Sequence, residues 1–200
     1  MSGVACGALS NRKCAVVPFG SIIAESRREK PLRTISRICL VSVTLVGCVG
    51  CDQISKGAVR SHLVLGETYS YLHDVLRLTH AENSGAFLSL GAKLPENVRT
   101  ILFTVLVGLF SLSALLAALF ARRLGRWQVA ALALIAAGGV GNWIDRLLKN
   151  GQVTDFLNVG IGPLRTGIFN VADMALMLGV VMLLLMSGTS AASNNPLERT

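Results

Sequence analysis

Charge is scarce in this sequence. Asp, Glu, Lys and Arg make up 15% of its 200 residues, where a soluble domain carries about 25%. With 52% of residues hydrophobic, the deficit argues against an ordinary water-facing surface and implies that much of the surface faces lipid. Histidine is scarce as well: His62, His73 and His80 have no metal-ligand spacing and read as surface or packing residues. The five cysteines, Cys6, Cys14, Cys39, Cys48 and Cys51, form no zinc pattern with them. Their odd number does not suggest a disulfide framework, and Cys48 and Cys51 read as small packing residues on one helix face. No internal repeat is evident, which argues against an inverted-repeat transporter.

What the sequence does have is four apolar runs. Ile38 to Cys51 is short against the roughly 20 residues a span needs. It becomes long enough if the helix extends both ways, with Arg37 snorkelling to the interface. Ile101 to Ala121 carries no charge. Trp127 to about Ile144 has a Trp near each end, as expected of interfacial belts. Ile168 to Met186 has Asn170 and Asp173 near its start. The expected fold is an all-α integral membrane protein with four transmembrane helices.

Basic charge is distributed unevenly around these runs. Segments 1–37, 121–127 and 187–200 share one side and hold 11 basic and 3 acidic residues; the rest of the chain holds 8 of each. The whole net charge of +8 therefore lies on one side. By the positive-inside rule that side is the cytoplasm, and both termini are inside. The charge reads as a topology signal and an attraction to anionic membrane lipids, not as a nucleic-acid surface. Residues 1–35 are expected to be a disordered cytoplasmic extension, 36–187 the membrane domain and 188–200 a cytoplasmic tail. Between the first two helices, Tyr69 to Thr79 is rich in Tyr, Leu, Val and Thr. It suggests a small extracytoplasmic β element of one or two strands, lying on the membrane because open sheet edges are not tolerated in lipid.

Intramembrane carboxylates gather at one depth. The first helix is expected to end outward at Asp52 and Lys56, the third at Asn142, Asp145 and Arg146. The fourth starts outside and carries Asn170 and Asp173, with Asp173 roughly 8 Å from its start at about 1.5 Å per residue. Asp155 falls in a short outer loop between the third and fourth helices. An Asp within the membrane costs about 2.5–3.5 kcal/mol at full depth, so such residues face a bundle interior or a wet cavity. Asp52, Lys56 and Asp145 read equally well as interfacial salt bridges. Asp173 does not, because its helix carries no basic partner and Asn170 shares its face. Two carboxylates without a histidine or metal set suggest an aspartic dyad that shares one proton, with one group activating water and the other polarising a carbonyl. That is peptide hydrolysis, and it requires no cofactor and no metal.

Five motifs in order make the sequence resemble the lipoprotein signal peptidases (signal peptidase II), bacterial membrane aspartic peptidases. Asp52-Gln53-Ile54-Ser55-Lys56 matches D-x-x-x-K. Asn83-Ser84-Gly85-Ala86-Phe87 resembles N-x-G-x-A-F, one residue shorter. Gly141-Asn142-Trp143-Ile144-Asp145-Arg146 matches G-N-x-x-D-R. Val153-Thr154-Asp155-Phe156 matches V-x-D-F, and Phe169-Asn170-Val171-Ala172-Asp173 matches F-N-x-A-D. The resemblance covers about residues 36–187. It implies that Asp155 and Asp173 are catalytic. It implies that Asp52, Asn83, Gly85, Asn142, Arg146 and Asn170 line or support the site, with Asn142 and Asn170 orienting the aspartates and Arg146 holding a substrate carbonyl or a supporting carboxylate. The implied substrate is a prolipoprotein whose signal peptide precedes a diacylglyceryl-modified cysteine, cleaved just before that cysteine. The implied setting is the bacterial inner membrane, with the protein a monomer and its site near the extracytoplasmic face.

Three other readings compete. Leu45-Val46-Gly47-Cys48 fits a lipobox, which would make the chain itself a lipoprotein. Intramembrane acids also mark ion paths, although a channel should carry polar groups at mid-depth on several helices. Ser84 and Lys56 could form a Ser-Lys dyad, although Ser84 occupies a variable position of its motif.

Overall fold

The computed structural model describes residues 33–85 and 94–192, with side chains through Met186. Most of the expected extension 1–35 lies outside the described residues, as does most of the expected tail 188–200 and, from the second motif, Ala86 and Phe87.

Four long helices and one sheet make up the described chain. Helix α1 spans Thr34–His62. After it come strands β1, Thr68–Tyr71, and β2, Leu76–Asn83. Helix α2 covers Glu96–Phe120; it is π-helical over Thr100–Leu106 and α-helical again over Val107–Phe120. Helix α3 is Arg126–Leu148. Strands β3, Val153–Ile161, and β4, Leu164–Arg165, precede helix α4, Val171–Ala192. By length and composition α1, α2 and α3 can each cross a membrane, while the apolar part of α4, Val171–Met186, is shorter. Val43, Val46, Leu109, Phe110, Leu184 and Leu185 all stand exposed on the helices, a surface suited to hydrocarbon and not to water.

Helix α3 is the hub, packed against α1, α2 and α4. Its sequence explains why. Ala131, Ala133, Ala136, Ala137, Gly138, Gly139 and Gly141 are all buried, and small residues let helix backbones approach where no hydrophobic effect drives association. A Cβ on Gly138 would strike the backbone of Ala172 and Leu176, and one on Gly179 would meet Ala131 O at 2.5 Å. The two glycines thus set the α3–α4 separation. Val41, Ala118, Val129 and Ala133 form one apolar core cluster; Ala114, Ile135 and Ala136 form another.

Five expectations are corrected. Arg37 does not snorkel: it is 4% exposed and donates to Ala121 O at 2.7 Å and Leu124 O at 3.2 Å, carbonyls of the turn after α2, the first of which also accepts Leu124 N–H. Helix α1 does not end at Asp52 and Lys56 but continues to His62. Helix α4 begins at Val171, so Asp173 sits in its first turn, not a full turn and a half inside. The β element is larger than expected, and Asp155 is not in a loop. The sheet has four antiparallel strands in the order β1-β2-β3-β4, and β3 carries Asp155 between α3 and α4. Its sequence, VTDFLNVGI, is rich in β-branched and aromatic residues. Its first four residues are all buried, so it lacks the alternation that marks a half-exposed strand.

Candidate active site

The polar residues of the site come from α1, β2, α3, β3 and the start of α4, and local rules place most of them. Asn170 precedes α4 as its N-cap, with Asp173 three residues on. The Asn170 carboxamide oxygen accepts Asp173 N–H at 2.9 Å, and Asp173 Oδ2 accepts Asn170 N–H at 3.2 Å. This is the reciprocal pattern of a capping box. A third group at the same helix end, Ala172 N–H, donates to Asp52 Oδ1 at 2.9 Å. Asp52 and Lys56 lie one turn apart on α1, and Asn142 and Arg146 one turn apart on α3, so each pair shares a face.

Asp155 and Asp173 open into one cavity of about 280 Å³, lined also by Asn83, Asn142 and Arg146, with Val107, Leu176 and Met177 as an apolar wall. Carboxamides hold both carboxylates. Asn83 donates to Asp155 Oδ2 at 2.9 Å and Asn170 donates to Asp155 Oδ1 at 2.6 Å. Asn142 donates to Asp173 Oδ1 at 2.8 Å. Asn170 Nδ2 also meets Asn142 Oδ1 at 3.0 Å, so one side chain joins the two halves. Asp155 is 3% exposed. Burial pushes its carboxyl up to about 6, with the Asp173 charge adding to the rise and the Asn83 and Asn170 hydrogen bonds and the Lys56 charge opposing it. A raised carboxyl that feels the charge of a second one, in a cavity with an apolar wall, is a setting in which two carboxyls can share one proton.

The supporting residues divide by what they touch. Lys56 is wholly buried; it pairs with Asp52 Oδ2 at 2.7 Å and Asp145 Oδ2 at 3.2 Å and donates to Asn142 Oδ1 at 2.9 Å. Asp52 and Asp145 are therefore ion-paired, as the salt-bridge reading expected, yet each also reaches toward the site. Gly85 donates its N–H to Asn83 Oδ1 at 2.9 Å and accepts from Arg146 Nη2 at 2.9 Å. Arg146 Nε is buried without a hydrogen-bond partner, and the guanidinium lies 6.0 Å from the centre of the Phe103 ring. Ser84 is not among the polar partners of Lys56, which removes the geometric basis of a Ser-Lys dyad.

Sequence reasoning missed one network. Thr154 Oγ1 donates to Glu82 at 2.9 Å, accepts from Arg60 at 3.1 Å and also contacts Lys149. Its N–H reaches Asp145 at 3.1 Å. Glu82 and Thr154 are cross-strand partners, and each immediately precedes or follows a motif residue. Only the strand pairing brings them together, and that pairing was not legible in the chain.

The family model described as Signal peptidase (SPase) II matches residues 44–188. This chain belongs to the signal peptidase II family. It is 37% identical over 152 residues to a lipoprotein signal peptidase of Desulforapulum autotrophicum, covering 75% of this chain and 90% of that one. It is 34% identical over 146 residues to one from Streptococcus pyogenes serotype M1, covering 73% and 91%. A solved structure described as a bacterial membrane enzyme superposes with a TM-score of 0.69 at 23% identity, covering 84% of this chain and 96% of that one; this similarity concerns the fold. Membership of the signal peptidase II family makes the chain a peptidase, and its long apolar helices fit a membrane protein.

Proposed function

We propose that this chain is a membrane aspartic endopeptidase that removes signal peptides from diacylglyceryl-modified bacterial prolipoproteins. It cleaves just before the lipidated cysteine, with Asp155 and Asp173 as its catalytic dyad. The observation that carries this reading is the convergence of both aspartates on one cavity, joined through Asn170. In the proposed architecture 36–187 is the peptidase domain, flanked by the cytoplasmic extension 1–35 and tail 188–200. Four helices span the inner membrane with both termini cytoplasmic, and the dyad lies near the extracytoplasmic face. The protein acts as a monomer and needs no cofactor.

One proton shared by the pair suffices for the reaction. The ionised carboxylate takes a proton from water as the oxygen attacks the scissile carbonyl. The protonated partner hydrogen-bonds to that carbonyl and passes its proton to the developing oxyanion. The tetrahedral diol then collapses. The C–N bond breaks as the departing amine of the lipidated cysteine takes the proton of one carboxyl and a diol hydroxyl gives its proton to the other, which restores the singly protonated dyad, and the signal peptide leaves with a new carboxyl terminus. Asn83, Asn142 and Asn170 fix the carboxylate oxygens so that little reorganisation is needed. The apolar wall of Val107, Leu176 and Met177 faces a substrate that arrives through lipid.

The test is cleavage of a lipidated prolipoprotein by the purified enzyme in bilayers. Asp155→Asn and Asp173→Asn should each abolish turnover while leaving membrane insertion intact. Retained turnover in either variant overturns the dyad. An intact mass lacking residues 1–47 and carrying lipid would instead support the reading of the chain as a lipoprotein.

A further inference from the structure

We propose that Lys56 is a positioning residue for the reaction: by presenting only donors to Asn142, it fixes which way the Asn142 and Asn170 carboxamides point and thereby aims both aspartates. The inference rests on the dyad reading above.

An asparagine side chain has a donor end and an acceptor end of nearly equal shape, and its surroundings decide between them. Asn142 Oδ1 receives Lys56 Nζ at 2.9 Å and Asn170 Nδ2 at 3.0 Å, which leaves Nδ2 to donate to Asp173 at 2.8 Å. An ammonium has three donors and no acceptor. A flipped Asn142 would turn its NH₂ against that ammonium and its oxygen against the Asp173 carboxylate. The flip is therefore forbidden while Lys56 is in place. Asn142 in turn orients Asn170, whose single NH₂ serves both Asn142 Oδ1 and Asp155 Oδ1.

Lys56 is itself immobilised. Its other two partners are Asp52 Oδ2 and Asp145 Oδ2, so each ammonium proton has an acceptor. Those carboxylates continue outward to the backbone beside the dyad: Asp52 Oδ1 holds Ala172 N–H, next to Asp173, and Asp145 Oδ2 holds Thr154 N–H, next to Asp155. One buried lysine thus governs both arms by two routes, through carboxamides and through carboxylates. Its charge also bears on Asp155. The other charged groups that act on Asp155 are Asp173 on α4 and Arg146 on α3; Arg60 on α1, Glu82 on β2, Asp145 on α3 and Lys149 just beyond it gather on the adjacent Thr154, with His80 beside Glu82 and Asp52 on Lys56.

The experiment compares full-length enzyme in bilayers on a lipidated prolipoprotein. Lys56→Met should lower kcat about 100-fold or more, with KM within about threefold, because transition-state alignment is lost and substrate binding is not. Losing the positive charge should also move the alkaline limb of the kcat profile to higher pH, since the pair then keeps its proton longer. Removing one member of a buried ion pair can prevent folding, so Asp52→Asn/Lys56→Met, which removes the pair together, is measured alongside. Asp52→Asn/Lys56→Gln, which puts back an N–H donor without the charge, should recover kcat about tenfold over Asp52→Asn/Lys56→Met. Three outcomes overturn the proposal: near wild-type kcat in the Met variants, a loss shared equally by kcat and the folded fraction with an unmoved pH profile, or no recovery with Gln in folded protein. Turnover retained by Asp155→Asn or Asp173→Asn marks a different failure, that of the dyad itself.

Discussion

Asn170 and Asp173 cap each other at the start of α4, with the side chain of each accepting the backbone N–H of the other. The same pair of residues ends the helix properly and presents the Asp173 carboxylate to the cavity. Fold and chemistry are therefore coupled at this turn. Replacing Asn170 with Ala removes the cap and the 2.6 Å bond to Asp155. We expect a stability loss of about 1–2 kcal/mol from the cap alone and a fall in kcat of about 100-fold or more from the misplaced carboxylates. Thermal unfolding and steady-state cleavage measure the two separately. A variant with an unaltered melting temperature would contradict the capping role.

The raised Asp155 carboxyl has consequences for rate. In the proposed dyad mechanism the pair acts with one proton, so losing that proton should set the alkaline limb of the profile. In free enzyme this loss follows Asp155, at about 6, and kcat/KM should decline above that pH. A lipidated substrate that expels water from the cavity disfavours ionisation further, so the kcat limb should lie at higher pH than the kcat/KM limb. Coincident limbs would show that substrate does not desolvate the pair.

The same shift has a sign for stability. Folded Asp155 holds its proton up to about 6, whereas its unperturbed value is 3.8. Between those values the folded state binds more protons than the unfolded one, so stability is lost as pH rises through the window and is flat above it. The full span corresponds to roughly 3 kcal/mol. Comparing wild type with Asp155→Asn isolates the slope, because Asn does not titrate. An offset between the two curves is expected at every pH, since the Asn NH₂ must face a carboxamide donor. The prediction concerns only the decline of wild type relative to the variant from about pH 4 to about pH 6.

Much of the site was legible because its parts obey local rules. Asn170 and Asp173 stand three apart, which the sequence shows as a shared helix face and the structure resolves as a reciprocal cap; Asp52 and Lys56 stand at helical spacing and form the ion pair. The helices were legible from apolar runs, though their ends were not: polar Asp52 and Lys56 looked like a terminus, yet α1 carries them buried against α3 and α4 and continues to His62. Strand β3 was missed for a different reason. Buried on both faces at its start, it has no alternation to read, and its partner β2 lies some 70 residues earlier. The Thr154, Glu82 and Lys149 contacts depend on that pairing, so no local signal could have found them. Arg37 was misread because the carbonyls it caps belong to a loop 84 residues away.

Arg37 offers a variant remote from the chemistry. It donates to Ala121 O and Leu124 O from a nearly sealed position; Ala121 O also accepts Leu124 N–H, so the loss falls mainly on Leu124 O, at about 1–3 kcal/mol for a carbonyl left unpaired. Arg37→Met keeps the aliphatic stem and removes both bonds. We expect a lower unfolding temperature, corresponding to roughly 1–3 kcal/mol, with kcat and KM of the folded fraction unchanged. A matched fall in kcat of folded enzyme would show that this end of the bundle communicates with the site.

Trp143 links α3 to the π-helical part of α2. Its indole N–H donates to Thr104 O at 2.9 Å, and its ring packs so closely on Gly108 that a Cβ there would sit 2.6 Å from Nε1. The π-helical run, a geometry frequent at functional sites, also carries Phe103, over which the Arg146 guanidinium lies. Displacing the indole should therefore disturb Arg146 through the helix it leans on. Gly108→Ala forces that displacement, whereas Trp143→Phe deletes the hydrogen bond but keeps the bulk. We expect Trp143→Phe to cost about 1 kcal/mol of stability with a small change in kcat, and Gly108→Ala to lower kcat about tenfold or more. If Trp143→Phe lowers activity as much as Gly108→Ala does, the Trp143–Thr104 hydrogen bond, and not ring packing alone, sets the position of α2.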